Sequence, residues 1–150
     1  MSECKERGRP RSKDVDLVIV ESVLDIIAED GISKVTMEGV AQRAGVSKAS
    51  LYRRFPTKSD MAQAAVERMR QESPIIPTEG SAYERLLYLM EGTRAGIQGT
   101  RYGRIMLAVI STSQEHPELA QLVYNRILQP RRMRVREILE QGIEAGEFPS

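Results

Sequence analysis

The sequence predicts an all-α chain, and three observations carry that expectation. Sustained period-2 alternation and Asn-Gly or Asp-Gly hairpin turns are missing. Apolar residues recur at three- and four-residue spacing along most of the length. Gly, Pro, Ser and Thr punctuate those stretches where helices should start and stop.

The first helix is expected over residues 13–30. Ile19, Val23, Ile26 and Ile27 share one face, and Gly31 is the stop signal. A short second helix follows Thr36, whose hydroxyl suits an N-cap. It turns Val40 and Ala41 inward and ends near Ala44, where Gly45 supplies a tight turn. Ser47 caps a third helix from Lys48 to about Arg54, with Leu51 inward and Pro56 as its stop. Thr57 caps a fourth helix, from Lys58 to about Glu72, with Met61, Ala65 and Met69 on one side.

Residues 73–81 hold two prolines, a glycine and small polar residues, which reads as a connection. Beyond it a helix is expected from Ala82 to about Gly99, with Leu86, Met90 and Ile97 inward. Gly92, Gly96 and Gly99 thin its far half, which predicts close packing or a bend. A shorter helix follows over residues 104–113, with Ile105, Ala108 and Val109 inward. Pro117 suits the first turn of the next helix, where its missing N–H costs nothing. That helix shows Leu119, Leu122, Val123 and Ile127, then Val135, Ile138 and Leu139. Pro130 interrupts it and predicts a kink or break.

The 150 residues hold 22 Lys and Arg against 21 Asp and Glu, a formal charge of +1. With 41% hydrophobic residues, the composition is that of a folded chain with a core. No apolar stretch approaches a membrane span, and the basic N-terminus is not followed by a secretory core. The expected location is the cytoplasm, with which the one cysteine, Cys4, agrees. One histidine, His116, leaves no His-based metal cluster or His-centred triad. No phosphate loop or dinucleotide fingerprint is present, so neither an enzyme nor a cofactor is expected.

The balanced charge hides blocks. Residues 5–13 carry five bases and one acid; 14–30 carry six acids and no base; 39–58 carry five bases and no acid. Such runs make local fields that the net charge conceals. The last block coincides with two short helices joined by a glycine turn, a helix-turn-helix over residues 36–55. Its second helix is short, capped and amphipathic, as insertion into a DNA major groove requires. The expected outward positions are Lys48, Ala49, Ser50, Tyr52, Arg53 and Arg54. The small residues permit close approach to base edges, and the flanking bases can reach phosphates.

Ala41, Gly45, Val46, Ser47, Leu51, Tyr52, Phe55, Pro56 and Lys58, with Thr36 ahead and Gly31 closing the first helix, resemble the DNA-binding domain of the TetR family of bacterial repressors. The resemblance implies an all-helical homodimer. A three-helix reading head would be joined by a fourth helix to a larger helical domain for effector binding and dimerisation. It makes Tyr52 and Lys58 phosphate contacts by motif position, with Thr36 and Ser47 supporting the backbone through caps. Lys48, Ala49, Ser50 and Arg54 become the groove readers. Two residues depart from the pattern: Glu38 stands where a basic or polar reader is common, and Gly39 removes the partner of a capping box with Thr36.

The expected organisation is a flexible basic arm (residues 1–12), a DNA-binding domain (13–73) and a helical effector-binding and dimerisation domain (74–150). The family implies two more helices after the long one, so the last domain is expected to be incomplete. The expected partners are a double-stranded, palindromic operator, an unidentified small-molecule effector and a second copy; no membrane is expected. The expected function is an effector-released repressor. The alternative is a helical interaction or architectural module that keeps the head without operator control.

The remaining features admit two readings each. Arg7, Arg9 and Arg11 around Gly8 and Pro10 look like a minor-groove arm, or a tail that only raises non-specific affinity. The acids of residues 14–30 read as the solvated face of the first helix, or as a charge that keeps that face off DNA and helps set orientation. His116 reads as capping or surface, or as a ligand contact, and Cys4 as an inert thiol or a redox sensor. Arg131, Arg132, Arg134 and Arg136 read as a solvated face paired with Glu137 and Glu140, or as an anion or domain contact. Tyr88, Met90, Tyr102, Met106 and Tyr124 are the candidates for an effector pocket between helices, or else simple core.

Overall fold

The structure is a computed structural model that describes residues 12–73 and 75–149. Residues 1–11 of the expected basic arm, Arg9 and Cys4 among them, lie outside the described residues, and Ser12 already belongs to the first helix. Eight helices are described: α1 (Ser12–Asp30), α2 (Met37–Ala44), α3 (Lys48–Arg54), α4 (Lys58–Glu72), α5 (Ala82–Ile97), α6 (Arg101–Ser111), α7 (Pro117–Val123) and α8 (Gln129–Glu144). A 3-10 turn (Ile32–Lys34) follows α1, and a π turn (Tyr124–Leu128) joins α7 to α8.

The head follows from its caps. Thr36 Oγ1 accepts from Gly39 N–H at 3.0 Å, and Ser47 Oγ accepts from Ser50 N–H at 3.1 Å. Gly39 makes room for the first cap, because a Cβ there would sit 2.9 Å from Thr36 Oγ1. Gly45 has φ 65°, a left-handed turn that an L side chain disfavours. Thr57 and Asp60 form a full capping box at the start of α4.

The core runs through both halves of the chain. Ile19, Leu24, Val40, Leu51 and Met61 are at most 1% exposed. Ile105 and Val109 of α6, Val123 of α7 and Ile127 of the π turn belong to the same apolar cluster as these head residues. α6 and α7 therefore pack onto the reading head rather than apart from it. α5 and α8 lie against each other as a second pair.

Four expectations need correction. α6 begins at Arg101, three residues early, because Thr100 caps it by accepting from Gly103 N–H at 2.9 Å. α5 buries Ala82, Arg85 and Leu89, with Leu86 half-buried, while Met90 and Ile97, expected inward, are 68% and 52% exposed. The buried Arg85 breaks the apolar pattern, donating to the Pro77 carbonyl at 3.1 Å and Gln141 Oε1 at 2.8 Å. On α8, Ile138 is buried but Leu139 is exposed. Of the kink or break expected at Pro130, the break does not occur: the π turn widens the helix just before the proline, with Gln129 N–H donating to the Tyr124 carbonyl five residues back. The wider turn makes room for the ring and for the missing donor.

Candidate nucleic-acid interface

The recognition helix α3 is seven residues long, and its period decides which side chains are presented. Leu51, Arg54 and Phe55 share the inner face; Leu51 and Phe55 are buried. Lys48, Ala49, Tyr52 and Arg53 are exposed, and Ser50 is half-buried beside its cap. Tyr52 is 44% exposed, with its ring on the outer side of the helix that Leu51 anchors in the core. Lys58 is exposed at the first position of α4. Its ammonium, the first-turn amides of α3 and α4, and Tyr52 supply the donors a phosphate backbone needs.

Arg54 departs from the outward position expected of it. It turns back to α1, where its Nη1 lies 2.6 Å from Asp16 Oδ1, and it is only partly exposed. Lys48 is exposed but not idle, with its Nζ 3.1 Å from Glu38 Oε1 across the turn. A hydrogen bond from its own backbone and then one from Lys48 hold the Glu38 carboxyl below the usual carboxylate range. Glu38 therefore stays charged and must be exchanged for DNA before Lys48 can contact it. Thr36 and Ser47 spend their hydroxyls on the caps, so their support for DNA would pass through the backbone they order.

The acids of α1 are not a merely solvated face. Asp16, Glu21, Asp25 and Glu29 each meet an arginine from another helix. Arg43 of α2 reaches Glu29 at 2.7 Å and Arg68 of α4 reaches Glu21 at 2.7 Å. Arg101, the first residue of α6, reaches Glu21 at 2.6 Å, Asp25 at 2.9 Å and Glu72 of α4 at 3.3 Å. Burial opposes the Glu21 charge, but hydrogen bonds from Arg68 and Arg101 outweigh it and lower its pKa. Burial also opposes the Arg101 charge, and its bonds to Asp25 and Glu21 raise its pKa in spite of that. Arg101 therefore ties α6 to the two helices that frame the head. Charge runs alone could not reveal this, because the partners stand as many as 80 residues apart.

The five candidate effector residues do not converge. Met90 and Tyr124 line an open groove of about 960 Å³ between α5 and the π turn and α8. Tyr88 is exposed on α5, Tyr102 packs half-buried on the core, and Met106 is buried in it. A second cavity, of about 500 Å³, lies between α1, α4, α6 and α7, with Val23, Ile27, Met61, Val109 and Leu122 in its walls. His116 stands at this cavity, at the N-cap position of α7, where its side chain makes no cap hydrogen bond. The arginine run is mixed: Arg134 pairs with Glu137 at 2.8 Å, whereas Arg131 and Arg132 turn to neutral oxygens.

Residues 19–65 match the family described as bacterial regulatory proteins, tetR family, and residues 76–150 match the tetracyclin repressor-like C-terminal domain. The chain is 29% identical over 143 residues to YdeS of Bacillus subtilis, an uncharacterised HTH-type transcriptional regulator, covering 95% of this chain and 72% of YdeS. It is 28% identical over 139 residues to the similar regulator Rv1556 of Mycobacterium tuberculosis, covering 92% of this chain and 66% of that one. In fold it is similar to the crystal structure of MexZ, a repressor of Pseudomonas aeruginosa, with a TM-score of 0.76 at 20% identity over 93% of this chain and 72% of MexZ.

Proposed function

This chain belongs to the TetR family, whose members are DNA-binding transcriptional regulators rather than enzymes, and on that footing we propose an effector-released repressor acting on a palindromic operator. Two copies would place two α3 helices in successive major grooves, with half-sites one helical turn apart, about 34–36 Å, or more for a longer operator. The cytoplasm is the proposed location. Among the described residues no helix is long and apolar enough to cross a membrane.

One observation carries the reading. The exposed face of α3, with Lys58 beside it, rests on the core that α6 shares, and Arg101 of α6 is ion-paired to α1 and α4, the helices against which that head is seated. A ligand that moves α6 must therefore disturb the seat of α1 and α4, and so the spacing of two heads. MexZ, similar in fold, is described as a key repressor, which supports the direction of control.

In this reading Tyr52, Arg53 and Lys58 contact phosphates, Lys48, Ala49 and Ser50 meet base edges, Arg9 follows the minor groove, and Arg54 positions α3 through Asp16. The test is a gel shift with the gene's own upstream DNA against random competitor at physiological salt. Lys58→Ala should weaken binding to all sequences and lower the salt slope by about one. Lys48→Ala should instead relax preference at one base position, by roughly 1–3 kcal/mol. Equal affinity for upstream and random DNA would remove operator control and leave the architectural alternative.

A further inference from the structure

We propose that the groove between α5 and α8 binds a small amphipathic anion, a carboxylate, sulfonate or phosphate carried on an apolar body. The proposal rests on the effector reading above and names the ligand class it left open. Four guanidiniums line the groove: Arg94 from α5, and Arg131, Arg132 and Arg136 from α8. Among the described residues, no carboxylate lines it with them.

What these arginines touch sets them apart. Arg94 donates to Gln98 Oε1 at 3.1 Å and Arg132 to the Tyr124 hydroxyl at 3.1 Å. Arg131 donates to Thr93 Oγ1 and to the Leu89 carbonyl, which holds it across from α8 to α5. Among the described residues, no ion pair reaches any of the four. Elsewhere Arg43, Arg54, Arg68, Arg70, Arg101 and Arg134 each face a carboxylate, and Arg53, Arg85, Arg104 and Arg126, which also lack an ion pair among the described residues, do not line this groove, so it is the gathering of four such arginines in one place that distinguishes it. Four like charges around one concavity raise its potential, and an entering anion relieves their repulsion. The guanidinium fork matches planar oxyanions in two-point contact.

The other walls fix the rest of the ligand. Leu89, Met90, Leu128, Met133, Val135 and Leu139 give the groove an apolar surface. Met90 is more than half exposed, so it is free to close over a hydrocarbon. At about 960 Å³ the groove accepts a drug-sized molecule. A bare inorganic anion would leave the apolar wall wet, and a nucleic-acid backbone would bring no hydrocarbon to cover it.

The test uses the whole chain and two fluorescent naphthalenes of similar size. Anilinonaphthalene sulfonate is anionic; N-phenyl-1-naphthylamine is uncharged. The sulfonate should bind saturably at one site per chain and weaken as salt rises. The double variant Arg132→Gln/Arg136→Gln should weaken it at least tenfold, and Arg94→Gln severalfold, while the uncharged naphthalene changes by less than twofold. Both double-variant positions are exposed, so the thermal midpoint should hold. Unchanged sulfonate affinity in the double variant would overturn the proposal, and the more so if that variant lost affinity for random duplex DNA. Loss of sulfonate binding in Ala62→Phe, which fills the cavity beside α4, with none in the double variant would overturn it in favour of that cavity. A sulfonate that binds through these arginines yet never releases operator DNA supports the anion site and refutes the effector reading.

Discussion

The faces of α1 and of α8 treat arginine in opposite ways. Around α1, arginines from α2, α3, α4 and α6 are met by Asp16, Glu21, Asp25 and Glu29, so charge there closes on itself and holds helices together. Along the α5–α8 groove, Arg94, Arg131 and Arg132 are met by neutral oxygens, so their charge stays open to a visitor. The formal balance of +1 averages over both and describes neither. A paired arginine reports on architecture; a cluster without acids reports on a partner.

The largest effect should come from the core that α1 anchors. Leu51 is fully buried beneath α3, and Leu51→Ala should cost about 2–5 kcal/mol in urea unfolding. Because head and α6 share that core, the loss should appear as one shifted transition; two transitions would separate the regions that the ion pairs join. Gly103→Ala comes next, since a Cβ there would meet the Ile97 carbonyl oxygen where α5 turns into α6. About 1–3 kcal/mol is expected, read from the same unfolding curves.

Arg101→Met and Arg136→Met set the two arginine environments side by side. The Arg101 side chain is partly exposed, so its three ion pairs are discounted to about 1–2 kcal/mol together. Arg136 meets no acid, and its replacement should change stability by less than about 0.5 kcal/mol. Acidity should erase the contrast. Glu21 has a lowered pKa, so its contribution is present above the unfolded value of about 4.3 and fades as pH falls through the folded value. Thermal midpoints of the unmodified chain and Arg101→Met should therefore stay apart at pH 7 and draw together as pH falls below the unfolded value and through the lower folded one. A gap that persists in acid would mean that packing, not charge, carries the Arg101 effect.

The smallest effect is at the DNA face. Glu38→Gln frees Lys48 from its 3.1 Å partner without touching the core. Affinity for random duplex DNA should rise severalfold, with a steeper salt slope, in a fluorescence-anisotropy titration. A fall would show that Glu38 positions Lys48 rather than competes for it.

The head was readable because each of its helices carries its own punctuation. Thr36, Gly45, Ser47, Pro56 and Thr57 fix starts and stops within a few residues of the atoms they satisfy. The α5–α8 pair was not, because its buried face includes Arg85, whose partners Pro77 and Gln141 lie on other segments. The same limit hid the role of the α1 acids: their local pattern is that of a solvated face, and only the fold brings Arg68 and Arg101 to them. Arg54 was misplaced for a smaller reason, since on a seven-residue helix one position decides between groove and core. The candidate DNA-facing residues whose exposure the sequence could place are those along one short helix. The candidate pocket residues depend on which helices meet, and they scatter between groove, surface and core.

The central claim is that this head reads sequence as part of a symmetric pair. Selection of preferred duplexes from a random pool by the unmodified chain tests it most directly. The expected result is an enriched palindrome whose half-sites lie about one helical turn apart, lost in Tyr52→Ala/Lys58→Ala. Recovery of unenriched DNA, bound in proportion to its length and released uniformly by salt, would contradict it.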